Sequence, residues 1–101
     1  MDIRKIEGLL GMAQRAGKIV SGELAVQKAV ASGQAAAVIV AADASERTKE
    51  TALREAELKG IPAYSIFTKE MLGRCLGKEY RAVAALLDRG FAKTLDEKVR
   101  S

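Results

Sequence analysis

Apolar residues Ile3, Ile6, Leu10 and Ala13 recur at helical spacing, with Arg4, Lys5 and Glu7 between them. That spacing predicts an amphipathic helix over residues 3–16, ended by Gly17. Ile19-Val20 is short and β-branched and reads as a strand stub. Ser21 follows as a candidate N-cap, with Glu23 in the first turn, where a carboxylate suits the helix dipole. The second helix carries Leu24, Val26, Ala29 and Val30 and stops near Ser32-Gly33. Ala37 to Ala42 is a continuous small-apolar run centred on Val38-Ile39-Val40, the signature of a strand covered on both faces.

The second half repeats the alternation. Ser45 is placed to cap a third helix, with Glu46 in its first turn, running through Ala52, Leu53 and Ala56 to Lys59-Gly60, and Pro62 follows. Glycine and then proline make a strong stop signal. Ala63 to Phe67 reads as a strand. Thr68 then caps a short helix containing Met71 and Leu72, and Gly73 to Gly77 breaks the pattern into a loop. Arg81 to Leu87 fits either a strand or a helix by pattern alone; the alternation of layers favours a strand, with a final helix after Asp88. Strands separated by helical crossovers imply a largely parallel sheet with helices on both faces, a three-layer α/β/α sandwich.

With 101 residues, the chain is expected to make one domain over 1–101. Composition adds little to the fold but bounds the function. Apolar residues supply 49% and charged residues 30%, interspersed as in an ordinary globular chain. Seventeen Lys and Arg against 13 Asp and Glu leave a net +4 and a pI near 9.4, compatible with a polyanionic partner. The single cysteine, Cys75, excludes an internal disulfide and a multi-thiolate metal site and fits a reduced cytoplasm. No apolar run approaches a membrane span, and Asp2, Arg4, Lys5 and Glu7 leave no apolar signal core, so no membrane role is expected.

Candidate chemistry narrows quickly. Gly17-Lys18 resembles the end of a phosphate-binding Walker loop, but the first glycine falls at Met12 and the hydroxyl position is Ile19. Gly8-x-x-Gly11 and Gly73-x-x-x-Gly77 miss the spacing of a dinucleotide fold, so no cofactor is indicated. Histidine is absent, which removes the commonest general base and metal ligand, and no catalytic residue is assigned. Glu46, Glu50, Glu55 and Glu57 alternate with Arg47, Lys49 and Arg54 and read as a solvated helix face. Cys75 beside Arg74 is a candidate reactive thiol without a partner base, and otherwise a packing residue.

Two elements stand out because each joins glycines, a helix boundary and basic residues: Lys18 to Lys28, and Gly73 to Arg81. In a layered sheet both lie at element ends, where Arg15, Lys18, Lys28, Arg74, Lys78 and Arg81 would line one positive rim with the open N–H groups of the second helix. The acidic third helix would lie elsewhere. The bland alternative is that the glycines serve turns and the lysines solubility. With only Tyr64, Phe67, Tyr80 and Phe91 as aromatics, structured RNA fits better than a stacking platform for single strands.

Ala16-Gly17-Lys18-Ile19-Val20-Ser21-Gly22-Glu23, Val38 to Ser45, Leu72-Gly73-Arg74, Gly77-Lys78-Glu79 and Gly90-Phe91 together resemble the YlxQ-like bacterial ribosomal proteins. These belong to the kink-turn-binding superfamily known from archaeal L-seven-Ae and eukaryotic L-thirty-e. The resemblance covers nearly the whole chain. It implies an α/β/α sandwich with a mixed four-stranded sheet, binding kink-turn or other structured RNA, on the ribosome or elsewhere, with no catalysis, no cofactor and no metal, as a cytoplasmic monomer. By match to the family, the contacts fall on Lys18, Ser21, Gly22, Glu23 and Lys28, and on Arg74, Lys78 and Tyr80 near the loop before the last strand. Leu24-Ala25 stand where archaeal relatives carry a base-reading Asn-Glu pair, and Lys78 and Tyr80 replace aliphatic residues there. A protein-interaction scaffold of the same fold is the competing expectation.

Overall fold

A computed structural model describes all 101 residues. Five helices and four strands alternate along the chain: α1 (Ile3–Arg15), β1 (Ile19–Ser21), α2 (Glu23–Ala31), β2 (Ala37–Val40), α3 (Glu46–Leu58), β3 (Ala63–Ser65), α4 (Lys69–Cys75), β4 (Val83–Leu86) and α5 (Arg89–Arg100). The strands form one sheet in the order β1-β4-β2-β3. Helices α2 and α3 pack on one face, and α1, α4 and α5 cover the other. Twenty-seven apolar side chains make one contiguous core, and no polar or charged residue is buried.

The two central strands explain the apolar runs. Every residue of β2 and of β4 is buried, because each strand is flanked by two others and covered by helices on both faces. Burying a side chain such as Ile39 or Leu86 contributes about 1.5–3 kcal/mol each. Ala84 and Ala85 in β4 leave room for helices to approach from both sides. Their intrinsic helical preference is what makes this segment ambiguous in sequence, and the sheet environment overrides it.

The sheet is mixed, as the family resemblance implies, and the largely parallel sheet expected from the alternation of elements is corrected. Only β2 and β3 pair in parallel; β4 runs antiparallel to both β1 and β2. The cause lies in α4, which has seven residues and spans only about 10 Å. The segment after it turns back to the helix's own start, where the Arg81 N–H donates to the Lys69 carbonyl at 3.1 Å. The chain therefore re-enters the sheet at the end where β3 left it, and β4 must run the opposite way.

Three local readings also change. Ser21 closes β1 and does not cap α2; the cap position is Gly22, with φ 94° and ψ 150°, a conformation that only glycine adopts without strain. Gly73 lies inside α4 and not in a loop; the turn begins at Gly77, with φ 69°. The strands β2 and β3 are two residues shorter than expected, and Phe67, buried with φ 65°, turns the chain out of β3.

Side-chain caps hold the helix starts. Ser45 accepts from the Thr48 N–H at 3.2 Å, Thr68 from Met71 at 3.1 Å and Asp88 from Phe91 at 2.9 Å. The Tyr64 hydroxyl donates to Asp96 Oδ1 at 2.7 Å, and Arg100 Nε donates to Asp96 Oδ2 at 2.7 Å, tying edge strand β3 to α5.

Candidate functional site

The end of the sheet where β1, β2 and β3 finish and β4 begins, here the upper end, gathers four chain segments. These are the Ser21-Gly22-Glu23 start of α2, the loop from Ala41 to Ser45, the Ile66–Thr68 turn, and the segment leading into β4. In sheets of this kind the crevice beyond the strand ends is the usual ligand position.

Hydrogen bonds fix these segments to one another. The Gly22 N–H donates to the Val83 carbonyl at 3.0 Å, joining the start of α2 to the start of β4. Arg81 Nε donates to Ser21 Oγ at 2.9 Å, and its Nη1 donates to the Tyr80 carbonyl at 2.9 Å. The half-buried guanidinium is thus held across the β1–β4 boundary. The Asp43 carboxylate accepts from the Lys69 N–H at 2.8 Å, locking the loop after β2 to the start of α4.

No side chain caps α2. The N–H groups of its first turn at Glu23, Leu24 and Ala25 therefore remain open at the positive end of the helix dipole, an arrangement suited to an anionic group. Glu23 itself is oriented from outside its helix. The Ser45 hydroxyl donates to Thr48 Oγ1 at 2.9 Å, and Thr48 Oγ1 donates to Glu23 Oε1 at 2.6 Å. That relay places α3 against the start of α2, with a cleft of about 350 Å³ between them lined by Glu23, Arg47, Thr48 and Glu55. The expectation that α3 lies away from the site is thereby corrected: β1 and β2, which α2 connects, lie on either side of β4, and α3 fills the same sheet face beside α2.

Of the residues singled out in the sequence, Ser21, Gly22 and Glu23 meet Arg81 at this end. Lys78 and Tyr80 stand on the loop that leads to Arg81, both exposed, and Arg74 lies one turn behind, its carbonyl accepting from the Gly77 N–H. Lys28 is exposed on α2, five residues and roughly 7 Å along the axis from Glu23, on the same helical face as Leu24. Lys18 lies elsewhere. It precedes β1, and its carbonyl accepts from the Leu87 N–H at 2.8 Å, so the four-residue rise along β1, about 13 Å, separates it from Gly22. Arg15, in the last turn of α1, is at that far end too.

Sequence reading missed Thr48 and Ser45, whose link to Glu23 spans 25 residues in the chain and exists only after α2 and α3 pack together. It also missed the exposure of Leu24, 67% accessible beside Glu23; Tyr80, singled out in the sequence, is 56% accessible beside Arg81. An apolar residue on the polar side of the α2 pattern was the available signal for Leu24.

The segments at the upper end are not strongly basic. Arg47, Lys69, Arg74, Lys78 and Arg81 are matched there by Glu23, Asp43, Glu46, Glu70 and Glu79. No group of three or more His, Cys, Asp or Glu side chains stands close enough to hold a metal ion, and no helix is long and apolar enough to cross a membrane. Cys75 is half-buried, and burial first, then the Glu7 carboxylate, push its thiol above the usual cysteine range, the reverse of thiolate activation.

Residues 4–95 match the ribosomal protein L7Ae/L30e/S12e/Gadd45 family, to which the chain belongs. Among individual relatives, it is 39% identical over 87 residues to the RNA-binding protein YlxQ of Bacillus subtilis, covering 86% of this chain and 87% of that one. It is 34% identical over 94 residues to the RNA-binding protein YlxQ of Enterococcus faecium, covering 93% and 90%. Two solved structures share the fold. One is a protein of unknown function from Bacillus halodurans, with TM-score 0.92 and 37% identity over 96% of this chain and 98% of that one. The other is a Giardia lamblia 15.5 kD RNA-binding protein, with TM-score 0.79 and 28% identity over 96% and 86%.

Proposed function

We propose that this protein is a non-enzymatic RNA-binding protein of the bacterial cytoplasm, acting as one domain and recognising structured RNA of the kink-turn type, on the ribosome or in another ribonucleoprotein. The observation that carries the reading is the convergence at the upper end. The uncapped start of α2, with Gly22 letting the backbone approach closely, is bonded through Ser21 to Arg81 of the loop before β4. Membership of the family and the RNA-binding relatives support the same reading.

In this reading the open N–H groups of Glu23, Leu24 and Ala25 take a phosphate, and Arg81, Lys78, Arg74 and Lys28 position the backbone of a bent RNA around them. The Glu23 carboxylate, held by Thr48, is an acceptor able to read base amino and imino donors. Leu24 and Tyr80 supply exposed apolar surface for an unstacked base. Equal numbers of cations and carboxylates at this end favour recognition by shape over indiscriminate attraction to polyanions.

A gel-shift titration against a kink-turn RNA and a mutant with its G·A pairs disrupted tests the proposal. Tight binding to the first and weaker binding to the second is expected. Arg81→Gln should weaken binding and lower the salt slope by about one unit. Absence of binding to both RNAs would refute the reading.

A further inference from the structure

The lower end of the sheet, where β2 begins and β4 finishes, carries a second concavity of about 550 Å³. We infer that this cleft, lined by Lys59 and Arg89, is a second RNA-backbone contact surface, so that one molecule holds two RNA segments at opposite ends. The inference rests on the RNA-binding reading of the upper end and adds to it a separate site.

The cleft lies between the turns after α2 and α3 and the start of α5. Gln34, Ile61, Pro62 and Leu87 share its wall with the two cations, and no carboxylate residue lines it. Neither Lys59 nor Arg89 belongs to an ion pair; the molecule's two ion pairs are Lys49–Glu46 and Arg100–Asp96. Lys18 stands beside the cleft through its bond to Leu87, and Arg15 is in the preceding turn. Lys59 and Arg89 are the only charged residues of the lining, and the Asp88 carboxylate next to Arg89 is engaged by the Phe91 N–H. The lining of this cleft is thus positively charged, whereas the cleft at the upper end carries Glu23 and Glu55 beside Arg47.

Helix stability does not account for Arg89. It occupies the first position of α5, which has no acidic residue in its first turn, and a cation there faces the positive end of the dipole. The lining also selects among anionic ligands. It contains no aromatic side chain, so a stacked base has no platform. Two cations, a side-chain amide and a small apolar wall suit a phosphate and its adjoining ribose.

The test is amide mapping by nuclear magnetic resonance of the full chain with two separate probes, a plain RNA duplex without internal loops and a kink-turn RNA. Shifts at Gly33, Gln34, Gly60, Arg89 and Gly90 on adding the duplex are expected. They should vanish in the exposed double variant Lys59→Gln/Arg89→Gln, whose duplex binding should show a salt slope shallower by about two units. Movement confined to Gly22, Glu23 and Tyr80 with either probe would overturn the second surface and leave the upper-end reading standing. No movement at either end with either probe would overturn both.

Discussion

Gly73→Ala should destabilise this protein, although Gly→Ala within a helix normally does the opposite. A Cβ built at Gly73 lies 2.7 Å from the Glu79 carbonyl oxygen and 2.8 Å from both Glu79 C and Tyr80 N, where ordinary contact begins at 3.4 Å. The obstacle is backbone and has little freedom to yield. Lys78 N–H is bonded to the Gly73 carbonyl at 2.8 Å and Arg81 N–H to the Lys69 carbonyl at 3.1 Å, pinning the loop on both sides of the clash. Overpacking of this kind costs about 1–3 kcal/mol. The better helix propensity of alanine returns up to about 1 kcal/mol. Mid-range values of the two leave a net loss of about 1 kcal/mol, a fall in Tm of roughly 4–8 °C for a chain of this size. Gly8, exposed in α1 with nothing within 4 Å of its Cβ position, is the control. Gly8→Ala should raise Tm, with a gain of up to about 1 kcal/mol. Thermal melts by circular dichroism give both signs. The amides of Glu79 and Tyr80 should shift in the Gly73→Ala variant, because the loop carrying Lys78, Tyr80 and Arg81 must move outward. A Gly73→Ala protein as stable as the parent would refute the close approach of this loop to α4.

Thr48→Val keeps the side-chain shape but removes the hydroxyl that holds Glu23. Affinity for a kink-turn RNA should fall roughly 3–10-fold, about 1 kcal/mol, with little change in the thermal melt; unchanged affinity would remove Glu23 orientation from recognition. Burial first, and then the hydrogen bond to Asp96, push the Tyr64 hydroxyl up to about 12 from its ordinary 10.0. The folded protein holds this proton more tightly than the unfolded chain, so the associated stability is complete below pH 10 and is lost as pH rises toward 12. Alkaline denaturation of Tyr64→Phe should lack that component, and in a Tyr80→Phe background the phenolate absorbance should report Tyr64 alone. A parent-like alkaline stability profile in Tyr64→Phe would show that the bond to Asp96 does not couple to folding.

The chain's own pattern determined its elements and the covering of its central strands. Apolar spacing in α1, the Val38-Ile39-Val40 run, the Ser45 and Thr68 caps and the Lys59-Gly60 stop depend on neighbours close in sequence, so they are readable there. The Gly22-Glu23 turn and the Lys78–Arg81 loop were visible for the same reason: helix boundaries, glycines and cations lie together in the chain. Tertiary structure alone decided the direction of β4, because a short α4 and a returning loop bring the chain back to the end it left. It also decided that Gly73 is a point of close approach, a matter of backbone 79–80 lying against α4. Thr48 holds Glu23, and Lys18 is separated from Ser21, for a related reason. Hydrogen bonds between α2 and α3, and the length of a strand, relate residues by position in space, which spacing along a sequence does not encode. The same holds for charge. Composition determined the net excess, whereas folding placed balanced charges at the upper end and the unpaired Lys59 and Arg89 at the lower one.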